Sequence, residues 1–170
     1  MIASWKSLFN YFNKRNNKPA AEHAFEQIKN LESLPPILLY INQILNEGRL
    51  AIAEQKCREF LKKNPTNVFA MTLLSDIAKK FGYYDDAEIL LENAVKFSPD
   101  NGEIRMKYAL ILRLKQKFAK TMEQVNILCE KFPENLSYQA QKASEIMQNG
   151  SILHNLCLLY TSPSPRDLST

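Results

Sequence analysis

Residues 65–101 read PTNVFAMTLLSDIAKKFGYYDDAEILLENAVKFSPDN, and the Pro-x-Asn triplets at its two ends decide how the chain is read. Pro65-Thr66-Asn67 returns as Pro99-Asp100-Asn101 and again as Pro133-Glu134-Asn135, each 34 residues after the last. Other residue types keep the same step. Gly48 and Gly82 share one phase, with Gly150 two periods on; Ala53 and Ala87 share another; Leu50, Tyr84 and Phe118 a third. Four independent residue types on one period mark an internal repeat.

The residue types explain the unit. Glycine tolerates the positive φ that closes a helix, which places a tight turn at Gly48 and Gly82. Proline cannot continue a helix, so Pro65, Pro99 and Pro133 end the second helix of each unit, and the asparagine two residues on can cap the next. Small residues belong where backbones approach: Ala53, Ala87 and Thr121 early in the second helix, Ser75, Ala109 and Ala143 in the first. Ala87 is therefore expected to be fully buried. Met71, Leu74 and Ala78, then Ala87, Leu91 and Ala94, supply apolar faces at helical spacing. The pattern predicts antiparallel helices over about 36–47, 50–63, 67–81, 84–97, 101–115, 118–131 and 135–148, with a turn at Gly150. The fold class is all-α, an α-solenoid of helical hairpins with a 34-residue period.

This pattern resembles the tetratricopeptide repeat family, whose units run W-x2-L-G-x2-Y, then A-x3-F, then P. The unit from Val68 places Met71, Leu74, Ser75 and Ala78, then Ala87 and Leu91, then Pro99. The unit from Leu34 places Ile37, Tyr40, Ile41 and Ile44, then Ala53, Cys57 and Pro65; that from Gly102 places Arg105, Tyr108, Ala109 and Leu112, then Thr121, Val125 and Pro133. A fourth begins at Leu136 and shows Ala143, Ile146 and Gly150. The aromatic first position is missing throughout, and Arg105 stands in it once. The domain reading is two capping helices over 1–33, an array over 34–156 and a tail over 157–170.

The resemblance implies binding of another protein, or of a downstream domain of the same chain, in a groove lined by the first helices. By register those residues are Leu38, Asn42 and Leu45, then Phe69, Thr72, Asp76 and Lys79, then Glu103, Met106, Leu110 and Arg113. The groove is of mixed charge. Family members that grip a C-terminal carboxylate use a Lys and Asn set, and Leu38 stands where such a lysine would be. A narrower resemblance joins Cys57–Leu61, Asn64–Asn67 and Gly82–Glu88 to the repeat region of bacterial tetratricopeptide-sulfotransferase proteins. It implies a larger enzyme as an alternative parent, with no catalytic residue in this chain.

Composition narrows the classes further. Of 170 residues, 45% are apolar and 24% charged, which is globular. No stretch nears the roughly 20 apolar residues of a spanning helix. Three unevenly spaced cysteines and the lack of a signal-peptide pattern point to the cytoplasm. The net charge of +4 sits in Lys6, Lys14, Arg15 and Lys18, because the rest of the chain balances. A nucleic-acid binder would spread basic residues over a folded face, so none is expected as a partner.

At the N-terminus, Ile2, Trp5, Leu8, Phe9 and Phe12 share one helical face over 2–13, followed by basic residues. This reads as a capping helix in preference to a membrane-surface helix. A second helix is expected over about 20–31, carrying Ala24, Phe25, Ile28 and Leu31 and joining the stack. At the other end, Cys157 to Asp167 is similar to a transposase-type sequencing adapter translated in one frame, so the natural sequence is expected to diverge after about residue 156. The last unit would then leave Ala143, Ile146 and Met147 uncovered.

Candidate chemistry is sparse. His23 and His154 stand alone, without metal-ligand spacing. Cys57 and Cys129 fall in the apolar phase of second helices, as small hydrophobes. Asp85 and Asp86 open a helix, where they complement its dipole, and Lys62, Lys63, Lys79 and Lys80 close helices for the same reason. Four glycines build no phosphate loop, and no cofactor is expected.

Overall fold

Periodicity in the sequence returns as periodicity in the backbone. The computed structural model describes the backbone of residues 2–161 and the side chains of 4–29 and 31–150. Among the described residues every regular element is a helix: α1 (Ile2–Lys14), α2 (Lys18–Glu32), α3 (Pro36–Asn46), α4 (Leu50–Lys63), α5 (Val68–Phe81), α6 (Tyr84–Phe97), α7 (Gly102–Leu114), α8 (Phe118–Lys131) and α9 (Leu136–Thr161). Helices α4, α6 and α8 begin 34 residues apart, as do α5, α7 and α9.

Local chemistry sets those boundaries. Pro65, Pro99 and Pro133 all lie outside helices. Asn67 Oδ1 accepts from Ala70 N at 2.9 Å, Asn101 Oδ1 from Ile104 N at 3.1 Å, and Asn135 Oδ1 from Ser137 N at 3.0 Å. Each cap satisfies one backbone donor that the first helical turn leaves orphaned. Inside the hairpins the chain reverses through Gly48 at φ +79° and Gly82 at φ +81°. The third turn, at the same phase of the repeat, uses Gln116 at φ +57° where the other two have glycine. All three close alike: Arg49 N donates to Ile44 O at 3.1 Å, Tyr83 N to Ala78 O at 2.9 Å, and Lys117 N to Leu112 O at 2.9 Å. These are the six-residue closures that end a helix on a left-handed residue.

The chain divides into two compact units, Met1–Pro65 and Thr66–Thr170. In the first, α1 packs on α2 and α3 on α4. Trp5 meets His23 edge to face at 5.9 Å and Phe9 lies 5.8 Å from Phe25, so the apolar face of α1 is directed at α2. Ala24, Ile28, Leu31, Ile41, Ile44, Ala53 and Cys57 are buried in this unit. In the second unit each helix from α5 to α8 packs on its successor. Leu74, Ile77, Leu91, Ile111, Leu112, Val125 and Leu128 form its core, each large side chain contributing about 1.5–3 kcal/mol by leaving water. The small residues sit as expected: Ser75, Ala109 and Thr121 are buried, and Ala87 is 0% exposed. Arg105, in the family's aromatic position, is buried by donating to Gln124 Oε1 at 2.7 Å and Pro99 O at 3.0 Å.

The last helix departs from the expectation. Instead of ending near 148 with a turn at Gly150, α9 continues through Gly150 to Thr161, 26 residues in all. A glycine permits a turn without enforcing one. In this phase the gap-filling residue that follows, Ala53, Ala87 or Thr121 in earlier units, falls on Asn155, too large and polar for a sealed interhelical gap. Ala143, Ile146 and Met147 are exposed, as expected for a first helix with no second helix folded back over it. Residues 162–170 of the tail lie outside the described residues, as does the side chain of His154.

Candidate functional site

The face proposed by register can be assembled one helix at a time. On α3, Leu38, Asn42 and Leu45 are buried, which corrects the expectation that they line an open groove. The reason is composition: α3 reads PILLYINQILN and is apolar on more than one face, so Leu38, Ile41, Ile44 and Leu45 are all buried. On α5, Phe69, Thr72, Asp76 and Lys79 follow helical spacing along one face. Phe69 and Asp76 are half-buried and Lys79 is exposed. Thr72 is buried, its hydroxyl donating to Val68 O and Phe69 O at 2.9 Å. On α7, Glu103 is exposed while Met106, Leu110 and Arg113 are half-buried, again on one face.

Two ion pairs tie this face together, and each uses a residue the sequence reading did not single out. Lys107 Nζ reaches Asp76 Oδ2 at 2.6 Å, linking α7 to α5. Arg113 lies 3.6 Å from Glu145 Oε1, linking α7 to α9. Glu145 is 0% exposed; its Oε1 accepts from Gln141 at 2.6 Å, and Oε2 has no hydrogen-bond partner. Phe69, Met106 and Leu110 thus lie among fixed charges of both signs, apolar footing with directional polar groups around it.

A second charged cluster lies where α6 begins and the α7–α8 turn passes. Glu88 accepts from Lys117 at 2.6 Å and 2.8 Å and also pairs with Lys115, which in turn pairs with Asp85. The Lys115 hydrogen bond holds the Asp85 carboxyl below its ordinary range. Burial pushes Glu88 up, but the hydrogen bonds from Lys115 and Lys117 outweigh it and Glu88 too titrates low. The same contacts push Lys115 up. Here carboxylates neutralise lysines across adjacent turns; Asp86, the other half of the apparent acid pair, is exposed and apart from the cluster. At the next corner Lys131 pairs with Asp100 at 2.6 Å.

One signal could have found these pairs. Asp76 and Lys107, Asp85 and Lys115, Glu88 and Lys117, Asp100 and Lys131, and Arg113 and Glu145 are opposite charges 29–32 residues apart, about one helical turn short of the period. Searching for opposite charges at the full period misses all of them. Cys57 is buried and Cys129 half-buried. Among the described residues no cluster of His, Cys, Asp and Glu could hold a metal ion, and no helix is long and apolar enough to cross a membrane.

No protein-family model and no curated protein matches the chain. Solved structures do. MamA (41-end) from Desulfovibrio magneticus is 15% identical over 99% of this chain and 97% of its own, with a TM-score of 0.61. The TPR2B domain of yeast Sti1, solved in a complex with an Hsp70 peptide, is 13% identical over 66% of this chain and 95% of its own, with a TM-score of 0.60. An O-GlcNAc transferase from Thermobaculum terrenum is 19% identical over 65% of this chain but only 21% of its own, with a TM-score of 0.58, so this chain corresponds to a small part of that enzyme. Helix order, cap chemistry, six-residue turn closures and these likenesses agree: the chain has the tetratricopeptide-repeat fold.

Proposed function

We propose that the chain is a protein-interaction module whose binding surface is the face built by α5 and α7, receiving a peptide or another domain. The observation that carries this is the grouping of half-buried Phe69, Met106 and Leu110 with Asp76, Lys107, Arg113 and Glu103. Apolar footing supplies affinity, while charges of both signs fix register and exclude wrong partners. The likeness to the peptide-bound Sti1 domain supports this class of function. The partner is expected to carry apolar anchors interleaved with both charges; a uniformly acidic tail would leave Asp76 and Glu103 facing like charge. A photo-crosslinking residue at Met106, compared with one at exposed Ile89 on α6, tests the surface. A partner trapped from Met106 alone, and lost in Met106→Glu with helicity unchanged, is the expected result. Equal trapping from both positions refutes it.

A second reading makes the array the repeat region of a larger enzyme. It rests on the resemblance to tetratricopeptide-sulfotransferase proteins and on the partial overlap with a transferase. In both readings 1–33 acts as a cap and the compartment is the cytoplasm. Reading the gene downstream of codon 156 decides this: a transferase domain in frame favours the second reading, and a stop codon or further repeats favour the first.

A further inference from the structure

Position 105 is apolar in the two preceding units, where Ile37 and Met71 hold it, yet here it carries a charge. Arg105 is only 8% exposed. Its guanidinium donates to Gln124 Oε1 at 2.7 Å and to Pro99 O at 3.0 Å, and both acceptors are neutral. A guanidinium has five N–H donors, of which these bonds use two. Asp100 is near enough to feel the charge, but it is exposed and held by Lys131 at 2.6 Å. A cation this deep is ordinarily met by an acid in contact. Among the described residues Arg105 has none; its contacts are the two neutral oxygens.

Arg105 opens into a cleft of about 310 Å³ between α6 and α8, with Tyr108 of α7 buried beside it. Packed helices lie to both sides, α5 on α6 and α9 on α8, and the cleft shares no residue with the α5–α7 face. Tyr108 adds a hydroxyl with no hydrogen-bond partner among the described residues. Burial, together with the Glu92, Glu88 and Glu123 carboxylates, pushes its pKa up, so the hydroxyl keeps its proton and can donate. Half-buried Val95 and Ile127 give the walls an apolar stretch. Of the charges around the cleft, Lys96 and Glu92 neutralise each other at 2.9 Å. That leaves Arg105 and exposed Lys120 against Glu123, an excess of one positive charge. One carboxylate balances it, whereas a phosphate dianion would overshoot beside two acids. The planar fork of arginine suits a carboxylate. We propose that this cleft binds a small monocarboxylic acid, its oxygens on the free N–H groups of Arg105 and its short apolar body between Val95 and Ile127.

Butyrate is the probe. In amide correlation spectra of the full chain it should give saturable shifts at Arg105, Tyr108 and Gln124 in the millimolar range expected of so small a ligand. Acetate, with less apolar body, should shift the same signals at lower affinity. Arg105→Met puts back the residue of the unit before, so helicity should hold, and it should weaken butyrate by about tenfold or more. Lys120→Glu lies at an exposed site that leaves folding alone, and it should weaken butyrate by about threefold. Shifts that chloride reproduces at equal ionic strength overturn the proposal, as do shifts that never saturate or that centre on other residues. Butyrate affinity unchanged in Arg105→Met or in Lys120→Glu also overturns it. Phosphate binding more tightly than butyrate overturns the carboxylate as the ligand class.

Discussion

The α5–α6 hairpin and α9 start in the same phase of the repeat and carry a glycine in the same phase, yet one folds back and the other runs on. Gly82 takes φ +81° and α6 returns to bury Ala87, Leu91 and Ala94. Gly150 stays inside α9. Between them, Gln116 makes the same turn with no glycine at all. Glycine is therefore neither necessary nor sufficient here. What distinguishes the regions is the helix that follows: a small residue that fits the interhelical gap at Ala87 and Thr121, and Asn155 where no hairpin forms. The turn is a consequence of burial to come, consistent with helix stability drawn mainly from packing.

The sharpest way to break this comparison is one substitution at two positions in phase. Ala109 is buried at the α7 core and Ala143, 34 residues later, is exposed on α9. Ala109→Leu should overpack and destabilise by about 2–3 kcal/mol. Ala143→Leu should change stability by less than about 0.5 kcal/mol at low protein concentration. Urea midpoints for the two variants decide it; similar losses would mean that α9 is covered on that side after all. Ala87→Leu should lose as much as Ala109→Leu.

The inner side of α9 should behave as an ordinary repeat. A Cβ added at Gly102 would lie 2.6 Å from the Tyr138 hydroxyl and 2.9 Å from a Phe132 ring carbon. Gly102→Ala should therefore lose about 2 kcal/mol although it raises helix propensity. The double variant Gly102→Ala, Tyr138→Phe should recover part of that loss by removing the atom in closest approach. No recovery would place the strain on Phe132.

Most of the fold was legible because its rules are local and repeat. Pro65, Pro99 and Pro133 set ends, Asn67, Asn101 and Asn135 set starts, and both follow from single-residue backbone chemistry. The site was legible only where neighbours are generic. Register put Phe69, Met106 and Leu110 on half-buried positions of α5 and α7, but the burial of Leu38 and Leu45 depended on how apolar the whole of α3 is. Lys107, Glu145 and the Lys115–Glu88 contact arise from the lean of one helix against another, which shifts partners a turn away from the period. The turn at Gln116 was legible from the period and the gap between the predicted helices, but its left-handed φ was not, because nothing in its side chain asks for one; the flanking helices impose it.

The Lys115–Glu88 cluster sharpens the comparison from the side of charge, since it ties the Gly82-type corner to the Gln116 turn. Glu88→Gln should lose about 1.5–2 kcal/mol at pH 7 by weakening charge-assisted hydrogen bonds. Asp85 and Glu88 titrate lower folded than unfolded. Their contribution is thus complete above the unfolded carboxyl range and disappears as pH falls through the folded values, from about pH 4.5 downward. Lys115 runs the other way, its contribution complete below its unfolded value and lost only as pH rises through a higher folded one. The gap between wild type and Glu88→Gln should narrow in denaturation at pH 3. An undiminished gap would show that the loss comes from packing.

The smallest effects test the turn residues themselves. No heavy atom lies within 4 Å of a Cβ built on Gly82, so Gly82→Ala meets only the backbone penalty of positive φ, about 1 kcal/mol. Gln116→Gly removes that penalty at the equivalent corner but lets the unfolded chain explore more conformations, so the net gain should be about 0.5 kcal/mol. If helix packing imposes the turn, both variants keep the hairpin: Tyr83 N and Lys117 N stay slow to exchange with solvent, bonded to Ala78 O and Leu112 O. If glycine imposes it, Gly82→Ala should speed exchange at Tyr83 and extend α5 past Phe81, as α9 extends past Gly150. That outcome would make sequence chemistry at the corner the cause of the turn, and burial of α6 its result.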